Sequence, residues 1–208
     1  MPFPRLGQWV ALLTAVAGLG ACVQTTGSYR APDFSPGLLA MRGVNVGSLE
    51  SEAPGPNLGS RDHAELLAAL TSQLSKNKKV VLTRSPNGFV LNATLTRNDV
   101  DRWVANDCRV VEEPVFDEDG NKIGCVTRTI YQTTANTRRS VDANFELFDP
   151  TSRKVAWAWS GTNSSEMSQS NESGFCHPPA PMFPEPPETR EVASSLMKAA
   201  VRKLIAKP

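Results

Sequence analysis

The sequence predicts an α+β fold: a mainly antiparallel sheet of four or more strands with two helices packed on one face. Three observations point there. Residues 89–96, 141–147 and 155–159 alternate apolar with polar or small side chains with a period of two, as half-buried strands do. Leu66, Leu67, Leu70 and Leu74, and again Val192, Leu196, Ala200 and Leu204, recur at helical spacing. Asp117-Glu-Asp-Gly-Asn121 and Asp149-Pro-Thr-Ser-Arg153 are turn sequences between extended arms. With 40% hydrophobic and 21% charged residues, the chain has the composition of a globular protein.

The elements follow in order. In 41–49, Val44 and Val46 share a face and mark a first strand, after which Pro54-Gly55-Pro56 forms a loop. A first helix starts near Ser60, with Asp62 and Glu65 in the first turns, and runs to about Asn77. Val80-Val81-Leu82 is a short buried strand, and Lys76, Lys78 and Lys79 compensate the helix's carbonyl end. Phe89, Leu91, Ala93 and Leu95 form the inner face of the next strand. The arm from Cys108 to Phe116 turns back at Asp117–Asn121 into a threonine-rich arm reaching about Thr137. Val141 to Leu147 and Val155 to Trp159 form a second hairpin, with Trp157 and Trp159 on one side, packed beneath the helices or forming part of a contact surface. A polar, serine-rich stretch and six prolines between Cys176 and Pro187 predict an irregular surface loop over 163–188. A last helix covers Thr189 to about Ala206.

The start of the chain is of another kind. An apolar run from Leu6 ends at Leu19-Gly20-Ala21-Cys22. It is shorter than the about 20 apolar residues of a spanning helix, so residues 1–21 are expected to be a signal peptide. The sequence around Cys22 resembles the lipobox of bacterial lipoproteins. That resemblance implies a diacylglyceryl group on the Cys22 thiol, cleavage before it and fatty acylation such as palmitate. Two or three acyl chains anchor stably, whereas one holds marginally at about 0.8 kcal/mol per methylene. Residues 22–40, with Thr25-Thr26-Gly27-Ser28, Pro32, Pro36 and Gly37, are expected to form a lipidated flexible tether with a reach of about 20–25 Å. Residues 41–208 are expected to be a single α+β domain. Val23 is not the aspartate that retains some lipoproteins at the inner membrane, which favours the periplasmic face of the outer membrane.

Full-length, the chain carries 22 basic and 21 acidic residues, and loss of Arg5 with the signal makes them equal. No basic field serves nucleic acid. Three cysteines remain besides Cys22, and an oxidising compartment favours a disulfide over a metal site. Cys108 and Cys125 flank a hairpin and are the expected pair, with Cys176 left over; a bond from either to Cys176 is the alternative.

The strand Val141–Asp149, the turn Pro150–Lys154 and the return strand Val155-Ala-Trp-Ala-Trp-Ser-Gly161 resemble the late hairpin of envelope lipoproteins of the curli-secretion and penicillin-binding-protein-activator group. Their domain is similar to the amino-terminal domain of TolB. Ser152 stands where that pattern usually has glycine. The resemblance spans residues 41–207 and implies a strand, a long helix and a short second strand before Phe89. It also implies envelope assembly through protein contacts.

Catalytic chemistry finds no anchor in the residues. His63 and His177 belong to no triad or metal cluster. Asp117, Glu118, Asp119 and Asn121 lack the register of a calcium loop, and Glu112 and Glu113, adjacent on a strand, point to opposite faces. The expected protein is therefore a non-catalytic, lipid-anchored adaptor or activator that needs no cofactor or metal. Its partners are the lipid bilayer, through acylated Cys22, and another envelope protein. The alternative is self-association as an oligomeric structural or secretion-channel component. Pro178, Pro179, Phe183, Pro184 and Pro186 are the candidate contact residues, because extended proline segments lose little entropy on docking.

Overall fold

The leucines that mark the first helix, Leu66, Leu70 and Leu74, lie fully inside the protein. So do Val192, Leu196, Ala200 and Leu204 of the last helix, and the two helices pack on each other. A computed structural model describes residues 16–17, 23–34, 37–48, 60–173 and 177–206. Its elements are β1 (Val16–Ala17), β2 (Gln24–Arg30), β3 (Leu39–Ser48), α1 (Ser60–Ser75), β4 (Val80–Leu82), β5 (Phe89–Phe116), β6 (Lys122–Asp149), β7 (Lys154–Ser173) and α2 (Thr189–Ile205). The signal peptide and the lipidation site lie outside the described residues, except that Val16–Ala17 forms β1 within the segment read as signal.

The chain divides into two compact units. An α/β unit comprises Leu19–Asp101, Arg138–Glu166 and Pro186–Pro208, and a strand unit comprises Met1–Gly18, Arg102–Thr137 and Met167–Glu185. In the α/β unit the sheet order is β2-β7-β6-β5-β3-β4. Leu91, Ala93 and Leu95 of β5, Val141, Ala143, Phe145 and Leu147 of β6, and Trp157 and Trp159 of β7 join the helices in one apolar cluster. The tryptophans are thus core residues, each no more than 3% exposed.

The expectation of a mainly antiparallel sheet is corrected here: the sheet is mixed. β3 runs parallel to β4 through Leu39–Val80 and Met41–Leu82, and parallel to β5 through Val44–Leu91 and Ser48–Leu95. Parallel neighbours need a crossover, and α1 supplies it between β3 and β4. The second crossover is a short one, from β4 on one edge of β3 to β5 on the other. Thr83 N donates to the Met41 carbonyl (2.8 Å), Arg42 Nη1 donates to the Pro86 carbonyl (3.2 Å), and Gly88 arrives against the Arg42 backbone. The β3–β5 register shifts between Met41 and Gly43, where this passage occurs. Hairpin periodicity shows which segments are strands, but direction depends on the linker's path, and a six-residue passage over a strand resembles an ordinary turn in sequence.

A Cβ on Gly88 would stand 2.9 Å from Arg42 N and 2.9 Å from Thr83 Cγ2. Backbone cannot yield as a side-chain end can, so Gly88→Ala is expected to cost about 1–3 kcal/mol. A urea denaturation midpoint checks this; an unchanged midpoint would mean that the crossover is looser than its geometry.

In the strand unit, β7 runs beside β6, and β1 pairs with it through Val16–Ser168 and Ala17–Met167. The serine-rich stretch 163–173 is therefore strand, correcting the irregular loop expected over 163–188. Serine and asparagine have low strand propensity in isolation, but here their hydroxyls and amides pair across strands: Thr134 with Ser170 at 2.8 Å, and Ser168 Oγ donating to Asn136 Oδ1 at 2.7 Å.

Candidate functional site

Two surfaces carry the residues singled out by sequence, one in each unit. In the α/β unit it is the edge formed by β2. Residues 24–30, expected to be flexible tether, are a strand paired antiparallel with β7, with Gln24 opposite Thr162, Ser28 opposite Trp159 and Arg30 opposite Trp157. Both ends are fastened. Trp159 Nε1 donates to Thr25 Oγ1 (3.2 Å), and its indole lies over Gly161, where a Cβ would come within 2.4 Å of the ring. At the other end Arg30 donates from Nη1 to the Ala206 carbonyl and from Nη2 to the Lys203 carbonyl, both at 3.1 Å. A cation there meets the unpaired carbonyls and the negative pole of α2. Val23, the residue after Cys22, packs against the core.

The open face beside this edge mixes polar and apolar side chains. A groove of about 290 Å³ is lined by Tyr29, Asn144, Glu146, Ala158 and Ser160 among others. Further along the same unit Asp142 accepts from the Thr162 hydroxyl and lies 4.0 Å from Arg97 Nη1. The Arg97 guanidinium is held above its usual pKa, chiefly by its hydrogen bond to Asp99 (2.5 Å).

At the start of α2, Arg139 draws several segments together. Its Nε donates to the Pro187 carbonyl (2.5 Å) and Nη1 to Asn98 Oδ1 (2.8 Å). Burial lowers its pKa from the ordinary value, partly opposed by the charge of Asp62. Nearby Asn163, 1% exposed, donates from Nδ2 to the Val192 carbonyl at 2.8 Å.

The strand unit is built differently. Its buried positions include Thr133, Asn136 and Thr137; Thr133 Oγ1 donates to Asn106 Oδ1 (2.9 Å) and Thr137 Oγ1 to the Pro184 carbonyl (2.9 Å). Large apolar side chains lie outside instead: Val110 is 66% exposed, Ile123 65%, Phe116 56% and Val126 54%. The hairpin closes at Asp117, whose carboxylate accepts from Asn121 N (2.7 Å) and Asp119 N (3.0 Å), with Gly120 at φ +83°. Those backbone donors, Asn121 first, hold the Asp117 carboxyl below the usual carboxylate range.

Cys108 and Cys125 are both exposed and free, so the expected bond between them is not formed. The hairpin register explains this. Asp117 N donates to the Asn121 carbonyl, and counting back from that closure sets the two cysteines about five residues apart along the ladder, or about 17 Å. A disulfide needs Cα atoms within about 7 Å. Cys176, and with it either alternative pairing, lies outside the described residues.

Among the contact candidates, Phe183 is exposed and Pro178 is exposed, while Pro179, Pro184 and Pro186 are half-buried. Their segment is tied to the strands: Asn171 Nδ2 donates to the Ala180 carbonyl (3.3 Å) and the Arg102 guanidinium stands over the Phe183 ring, 5.9 Å from its centroid. His63 Nε2 donates to the Val46 carbonyl (2.6 Å), a structural contact at the edge of β3. Among the described residues no group of three or more His, Cys, Asp or Glu could hold a metal ion, and no helix is long and apolar enough to cross a membrane.

No protein-family profile and no curated protein matches the chain. Two solved structures of the PelC dodecamer from Paraburkholderia phytofirmans are similar to it in part. One is 16% identical with a TM-score of 0.43, and the other, a single-substitution variant, is 15% identical with a TM-score of 0.40; each covers 91% of this chain and 100% of that one.

Sequence reasoning missed β2 and the strand unit's polar interior. The first had a signal, because Thr25, Thr26 and Tyr29 favour strands. The second had almost none, since buried threonines read as the outward side of an ordinary amphipathic strand.

Proposed function

We propose that the protein is a lipid-anchored, non-catalytic component of the bacterial cell envelope whose strand unit docks another envelope protein, as an adaptor or activator does. The observation that carries this reading is the set of large apolar side chains Val110, Phe116, Ile123 and Val126, all exposed on the outer part of the β5–β6 hairpin. Exposed apolar side chains gathered on one hairpin favour a protein cover. The proline segment is a poorer candidate than its composition suggests, because Thr137 and Asn171 already engage its carbonyls.

The resemblance of the late hairpin to curli-secretion and activator lipoproteins agrees with such a role, as do the lipobox at Cys22 and the balanced charge of the chain.

Replacing Val110, Phe116, Ile123 and Val126 together by serine should leave the melting temperature nearly unchanged, because these side chains are exposed. Recovery of the cross-linked complex from intact cells should fall at least about tenfold, since each buried apolar side chain is worth about 1.5–3 kcal/mol. Undiminished recovery would remove this hairpin as the docking surface.

A further inference from the structure

We propose that the end of the α/β unit around β4 is a docking surface for an extended, acidic segment of a different protein, which adds to the sheet as a strand beside β4. This surface is separate from the hairpin of the strand unit and does not rest on the contact proposed there. The first observation is charge. Residues 34–48, 66–98 and 192–208 hold ten basic residues and no acidic one, in a chain whose charges otherwise balance. The fold brings these stretches together at one end of the unit. Leu39 N donates to the Lys79 carbonyl (2.7 Å), and Lys79 Nζ donates to the Ile205 carbonyl at the close of α2 (3.3 Å). Arg30 donates to the Lys203 carbonyl there and stands over the Phe34 ring, which packs edge-on against Phe89 at the start of β5. Lys76 and Lys78 before β4 and Arg84 after it are exposed, and among the described residues their side chains are in no hydrogen bond or ion pair.

The second observation is an open edge. β4 pairs with β3 on one side and stands last in the sheet. In a parallel pair, alternate residues turn their main-chain groups toward the neighbouring strand. Leu39 N is bonded to the Lys79 carbonyl and Thr83 N to the Met41 carbonyl, so the amide and carbonyl of Leu82 point outward. Short length and charge commonly blunt such edges, yet the side chains on this one are apolar: Leu38 is 71% exposed, Leu82 48% and Val81 44%. A bare polyanion would leave those side chains uncovered, and a lipid surface would leave the Leu82 main chain unpaired. An extended segment with apolar and acidic side chains answers all three features. It offers main-chain hydrogen bonds to Leu82, apolar cover for Val81 and Leu38, and carboxylates beside Lys78 and Arg84.

The test uses the full-length protein and a fluorescent peptide of about ten residues, valine and glutamate in alternation, with binding read by anisotropy. The peptide should bind, and the double variant Lys78→Glu, Arg84→Glu should weaken binding at least about tenfold, because both reversed charges face its carboxylates. Both side chains are exposed, so the melting temperature should not change. Oligoglutamate of equal charge offers no apolar cover and should bind at least about tenfold more weakly. The same peptide with its main-chain amides N-methylated should lose a similar factor. Failure of the alternating peptide to bind, equal binding of either control, or binding that survives the charge reversals overturns the proposal. Displacement of the peptide by phosphatidylglycerol vesicles would assign this end of the unit to a lipid surface instead. Binding that falls as protein concentration rises would mean that a second copy of the chain fills the edge, and would likewise overturn the foreign segment.

Discussion

Trp159→Ala is expected to cost the protein about 3–5 kcal/mol, the range for removing a large aromatic side chain from a packed core. The indole is 2% exposed, and its ring centroid lies 5.6 Å from that of Phe145. It also covers Gly161 and donates to Thr25, so the substitution removes a core side chain and unfastens β2 together. Two variants separate these effects. Thr25→Val removes only the hydrogen bond and should cost about 1 kcal/mol. Trp159→Phe keeps most of the apolar contact and should fall between the two. Denaturant midpoints give the energies, and trypsin cleavage at Arg30 reports whether β2 has come free. A Trp159→Ala protein within about 1 kcal/mol of the parent would show that the indole is not the clamp described above.

Cys22→Ser should move the protein from the membrane to the soluble fraction. The two or three chains of a lipoprotein anchor hold stably, whereas the exposed residues of β2 are, apart from Tyr29, polar. Loss of the thiol also removes the acceptor for the diacylglyceryl group, so an uncleaved precursor should accumulate, heavier by the signal segment. Fractionation followed by intact-mass measurement reads both outcomes. A Cys22→Ser protein that stays with the membrane after a high-salt wash would point to attachment by another part of the chain.

Much of the α/β unit was legible because its elements obey one period each. The leucine stripe of 60–77 and the stripe of 189–206 correspond to α1 and α2 with nearly those bounds, whereas the alternations of 89–95 and 141–147 are parts of the longer strands β5 and β6. What the pattern could not supply was direction and pairing. Residues 80–82 and 89–95 both lie parallel to β3 because the chain passes over Arg42, and Gly88 reveals that passage only once its neighbours are known.

The surfaces were harder to read for a related reason. Residues 24–30 contain too few apolar side chains to announce a strand, and the strand forms because β7 offers an edge to pair with. The disulfide expectation failed on stagger: Cys108 and Cys125 flank one turn, but they are not equidistant from it. The proline segment was legible as extended, whereas the threonine and asparagine donors that hold its carbonyls lie far off in sequence. Val110, Phe116, Ile123 and Val126 lie on the outer part of the long β5–β6 hairpin. Their exposure follows from that place, since nearly every residue from Arg102 to Val126 on both arms is exposed, which no local period encodes.

The central claim, an anchored protein that docks a different envelope protein, is tested most directly by the native mass of the complex. The lipidated protein is cross-linked mildly in its own membrane, solubilised and weighed beside the Cys22→Ser control. The account predicts a small complex containing one foreign protein, lost in the control; a large assembly made only of copies of this chain would contradict it.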